Sequence, residues 1–122
     1  MIKKELFDIY NRFHNEKRKV AEDEIAQINL ILTNMGIGDN LEYLTVNITY
    51  EEDLFNPSNS IHLKYDFELK DINVLEQVKM NVIDNYFIKK YGKDNIRTRD
   101  IHMDMNHIDF EYLIVLYEDV KK

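Results

Sequence analysis

Cysteine and tryptophan are absent from this 122-residue chain, proline occurs once, at Pro57, and glycine three times. Without cysteine there are no disulfides, thiolate zinc sites, iron–sulfur clusters or thiol nucleophiles. That agrees with a cytoplasmic address. Gly36, Gly38 and Gly92 all fall at expected helix ends, which leaves no glycine-rich loop to cradle phosphate. Serine is confined to Ser58 and Ser60, and neither lies in a nucleophile elbow. No apolar run approaches the ~18 residues of a membrane span. Met1-Ile2-Lys3-Lys4 is basic, but Glu5 and Asp8 follow and no apolar stretch does, so no secretory signal is expected. Carboxylates are plentiful, yet none sits in an apolar context that would raise a general acid. The expectation is a protein that is not an enzyme and takes no cofactor.

An apolar fraction of 44% in 122 residues suits a single domain, residues 1–122, with one core. Asn, Ile and Lys make up 40 residues; their AT-rich codons suggest an AT-rich bacterial or phage genome. The net charge of −7 is unevenly spread. Residues 1–20 carry +3, residues 21–80 carry −9 and residues 81–122 carry −1. The acidic middle repels phosphate and attracts a basic partner, so direct nucleic-acid binding is not expected.

Residues 1–35 lack Gly and Pro and read as one helix, stopped at Gly36-Ile37-Gly38. Ile2, Leu6, Ile9 and Phe13 share a face; after Glu16-Lys17-Arg18-Lys19 the stripe resumes out of phase at Ile25, Ile28, Leu32 and Met35. Such a helix is ~50 Å long, against a compact body roughly 35 Å across. Either it kinks near Glu16–Lys19, or Ile2, Leu6, Ile9 and Phe13 meet another chain, most simply in a homodimer.

Leu44, Val46, Ile48 and Tyr50 alternate as a strand. Ile61, Leu63, Tyr65, Phe67 and Leu69 do so more cleanly, with His62, Lys64, Asp66 and Glu68 on the wet side. A second helix capped by Asp71 runs to Gly92. Strands near Ile96–Asp104, with Arg97, Arg99, Ile101 and Met103 on one face, and Ile108–Tyr117 follow. The order α-β-β-α-β-β predicts an α+β fold, a four-stranded, mainly antiparallel sheet with both helices on one face. The two halves read as one αββ unit used twice.

Three constellations carry chemistry. His102, Asp104, His107 and Asp109 flank a tight turn, but their spacing matches no ligand motif, so no metal is expected there. Lys89, Lys90, Lys93, Arg97 and Arg99 form a basic cluster, interleaved with Asp94 and Asp100 in a pattern that favours charge balance over phosphate contact. The segment Glu51-Glu52-Asp53-Leu54-Phe55 reads as the start of a loop of nearly ten residues, longer than the usual 2–5 of a hairpin, with apolar residues beside acids. These five residues are the expected contact with a partner protein. In size, acidity and element order the chain resembles, in type, small toxin-immunity and phage anti-defence proteins, which share no common motif. That resemblance implies an inhibitor occupying a basic surface of its target. A structural homodimer and a small-molecule or metal-binding domain on the open face of the sheet are the alternatives.

Overall fold

The computed structural model describes residues 3–53 and 58–120. The elements are helix α1 (Lys3–Asn34), strands β1 (Leu41–Asp53) and β2 (Ser58–Leu69), a 3₁₀ turn (Ile72–Gln77), helix α2 (Met80–Tyr91), a second short 3₁₀ turn (Lys93–Asn95) and strands β3 (Ile96–Met103) and β4 (Ile108–Val120). All pairings are antiparallel and the sheet order is β1-β2-β4-β3. Each αββ half contributes an outer strand and then an inner one, and the two inner strands pair at the centre. This is the α+β fold expected from the alternation of the strands.

The core forms where the inward faces of the strands meet the helices. Ile61, Leu63, Tyr65, Phe67 and Leu69 are all buried, as their unbroken alternation requires. Burying a large apolar side chain stabilises the fold by ~1.5–3 kcal/mol relative to exposure, and a one-residue slip of β2 would forfeit all five. Leu44, Val46 and Ile48 of β1 and Ile108, Phe110, Tyr112 and Ile114 of β4 extend the same layer. Aromatic contacts tie the layers together: Phe67 stacks on Phe110 at 4.8 Å, and Phe87 of α2 stacks on Tyr112 at 4.1 Å and meets Tyr65 edge-to-face at 5.0 Å.

Helix α1 is one uninterrupted helix of 32 residues, ~48 Å long. The body beneath it is elongated rather than round. β1 and β4 run for 13 residues each, or ~43 Å, so the sheet is nearly as long as the helix it carries. Leu6, Ile28 and Leu32 are fully buried, and Ile9, Phe13, Ile25 and Met35 pack partly on the same core. The expectation that the first half of the helix faces another chain is therefore corrected at Leu6, which its own sheet covers. Ile2 lies outside the described residues. The helix ends as expected: Gly36 takes a φ of 81°, a left-handed cap where a side chain would be strained.

Two other readings are corrected. The helix expected from Asp71 splits: Asp71 caps the 3₁₀ turn by accepting from the Asn73 N–H at 2.9 Å, and Val78 is extended before α2 begins. Ile72, Val74, Val78 and Met80 all pack on the core, and one straight helix would spread those positions around its circumference. Arg97 is the extra residue of a bulge between Ile96 and Thr98, so it does not share the inward face of Arg99, Ile101 and Met103.

Candidate functional site on the open face of the sheet

The helices cover one face of the sheet. On the other, the register builds rows across the strands. Tyr43, Glu68, Asp109 and His102 form one row; Thr45, Asp66, Glu111 and Asp100 form the next; Asn47, Lys64, Leu113 and Thr98 form a third. The first two rows place five carboxylates together, and the only lysine among these rows is Lys64. Its ammonium stands 3.9 Å from Glu111, as does the His102 imidazole, while His107 Nδ1 lies 3.5 Å from Glu68.

The centre of the cluster is crowded with like charge. Asp66, Asp109 and Glu111 bring carboxylate oxygens within 4.8 Å of one another, and Glu111 also converges with Asp100 and His102. Asp66 Oδ1 and Asp109 Oδ1 are shut off from solvent with no hydrogen-bond partner. Burial, and next the adjacent Asp109, push the Asp66 pKa up to about 6. Tyr43 at the rim is pushed up to about 12, by burial first and then by Asp66, Asp109, Glu68 and Glu111. A proton shared between Asp66 and Asp109 relieves the repulsion, and so does an incoming cation. Carboxylates with one imidazole suit a divalent ion, and they equally suit an ammonium or guanidinium.

The residues singled out in the sequence are distributed differently. The quartet His102, Asp104, His107 and Asp109 is divided. His102 faces Asp109 across the strands, but His102 converges with Asp100 and Glu111, and Asp109 with Asp66 and Glu111. The long loop after β1 is corrected to strand. Glu51, Glu52 and Asp53 pair with Ser60, Asn59 and Ser58, so only residues 54–57 separate β1 from β2. A rich backbone ladder carries these weak strand formers. Asp53 lies ~26 Å along the strand from the row of Thr45, so the acidic run does not join the cluster. Leu54 and Phe55 lie outside the described residues.

The basic cluster is largely neutralised. Lys90 pairs with the buried Glu24, Arg99 with Asp84, and Arg97 with Glu118 at 2.7 Å. Sequence reasoning identified the wet face of β2 but missed its union with Asp109 and Glu111. That union depends on β2 pairing with β4, a contact between distant residues that no local pattern encodes.

Comparison with protein-family models, curated proteins and solved structures finds no match to this chain. Among the described residues, no helix is long and apolar enough to cross a membrane.

Proposed function

We propose that the protein is a non-enzymatic binding module that docks a basic surface of a target protein with the open face of its sheet, as an immunity protein or phage anti-defence inhibitor would. The observation that supports this reading is the union of Asp66, Glu68, Asp100, Asp109 and Glu111 on a face that no helix covers. A partner's lysine or arginine laid on this face would offset the mutual repulsion of the clustered Asp66, Asp109 and Glu111 carboxylates. The area is also adequate. Four strands at ~4.8 Å spacing and up to ~40 Å long present roughly the ~800 Å² per partner of a standard interface. Glu51, Glu52 and Asp53, at the far end of the same hairpin, are proposed, with Leu54 and Phe55 that follow them in sequence, as a second contact.

The test compares the wild-type chain with an Asp66→Asn/Glu111→Gln variant as bait for proteins of the source organism. The reading expects a basic protein that the wild type retains, that the variant loses, and that rising salt releases, because exposed charge attraction is screened beyond ~10 Å at 0.1 M. Retention unchanged in the variant would refute the acidic face as the site. Repeating the experiment in EDTA separates direct protein contact, which persists, from a bridging divalent ion, which does not.

A further inference from the structure

The helix-covered side of the sheet leaves a second feature that the acidic face does not explain. Phe87 of α2 sits on Tyr65 and Tyr112 of the two inner strands. The outer strand β3 is therefore met only by the flank of α2, and a hollow of about 270 Å³ opens there, lined by Asp84, Ile88, Lys93, Ile96, Arg99 and Tyr112. Its walls are mainly apolar, from Ile88 and Ile96, and its polar groups are ordered. Asp84 accepts from the Tyr112 hydroxyl at 2.6 Å through one oxygen and pairs with Arg99 through the other. That pairing uses one nitrogen of a guanidinium that has five N–H donors, and the Arg99 side chain is 43% exposed. Lys93, in the 3₁₀ turn that follows α2, has no carboxylate within ion-pair distance among the described residues. With Asp84 balancing Arg99, Lys93 leaves the lining with one net positive charge in a chain of net charge −7.

We propose that this hollow between α2 and β3 binds a small organic monoanion: an apolar body held between Ile88 and Ile96, with one carboxylate received by Arg99 and Lys93. The volume falls just below the ~300–1,000 Å³ of typical ligand sites, which limits the body to about the size of one ring or a short alkyl chain. Asp84 acts as a positioning residue, holding the guanidinium at the rim, and it also disfavours dianions. A phosphate monoester would bring a second charge against Asp84 with only one net cation to meet it.

The test uses the full chain with its isoleucine methyl groups labelled, and benzoate as the probe. Benzoate is expected to shift the methyl resonances of Ile88 and Ile96 saturably. Benzyl alcohol, which has the same ring and no charge, is expected to bind about tenfold more weakly, the equivalent of one charge-assisted hydrogen bond. Lys93→Gln, on an exposed turn, is expected to weaken benzoate by a similar factor and to leave benzyl alcohol unchanged. No shift up to the solubility limit of benzoate would overturn the proposal. So would equal affinity for the alcohol, or benzoate binding that persists unchanged in both Lys93→Gln and Arg99→Gln. The proposal is independent of the acidic face, because Asp66→Asn/Glu111→Gln leaves this lining intact.

Discussion

Among the described residues, Glu24 is the only charged side chain that is fully buried, and its partners are unequally placed. Tyr86 donates to it at 2.6 Å and Lys90 pairs with it, yet the Lys90 side chain is 40% exposed and that of Glu24 only 2%. Burial lowers the pKa of Lys90. Lys90→Met strands a carboxylate that cannot reach water, and is expected to cost ~3 kcal/mol. Glu24→Gln keeps an acceptor for Tyr86 and frees Lys90 to swing into solvent, and is expected to cost ~1 kcal/mol. Denaturant midpoints of the two variants check this, and the reverse order would show that Glu24 is not the trapped partner. Asp66 makes a prediction of the opposite kind. Its folded pKa of about 6 lies above its ordinary 3.8, so between those values the folded state holds a proton that the unfolded chain has released. Stability contributed by this group is highest below that window and is lost as pH rises through it. Acidifying from about pH 7 to about pH 5 is expected to raise the denaturation midpoint, and Asp66→Asn is expected to flatten that slope and to stabilise the protein at neutral pH. An Asp66→Asn variant that kept the full slope would assign the effect to another group.

At the level of elements, legibility followed how local the cause was. The five inward residues of β2, the stop at Gly36 and the cap at Gly92 depend on neighbours in sequence, and all were readable. The bulge at Arg97 depends on register with β4, and the extension of β1 to Asp53 on hydrogen bonds from β2. Neither leaves a local trace, because Glu51-Glu52-Asp53 and Ser58-Asn59-Ser60 are poor strand formers that the ladder recruits. The break at Val78 is likewise imposed from outside, by the need to put Ile72, Val74 and Met80 on one core. The acidic site itself was half legible: the wet side of β2 was plain, its meeting with β4 was not. Helix α1 supplies an element-scale test. Leu6 is fully buried near one end and Leu30 is 57% exposed near the other. Leu6→Ala is expected to cost ~3 kcal/mol and Leu30→Ala no more than ~0.5 kcal/mol. Equal, small losses in thermal or chemical denaturation would mean that the first turns of α1 are not docked on the sheet.

For the whole molecule, strands of ~43 Å under a helix of ~48 Å leave little of α1 for a second copy to cover. The apolar stripe from Leu6 to Phe13 is engaged at home, so an isologous helix contact would have to strip Leu6 from its own core at a cost of a few kcal/mol. The other broad face cannot pair with a copy of itself. A twofold axis would set Asp66, Asp109 and Glu111 of one protomer against the like charges of its partner, which carry the same solvent-excluded oxygens, and like-charge juxtaposition of that kind costs several kcal/mol. The net charge of −7 adds a weaker, longer-ranged repulsion. The protein is therefore expected to scatter light as a single chain of 14.7 kDa at micromolar concentration and low salt. Raising the salt should leave the mass unchanged, because no complementary surface is being held back by charge alone. A doubled mass at low salt would overturn this account of α1, and a doubled mass only at high salt would show that the acidic faces do meet once screened.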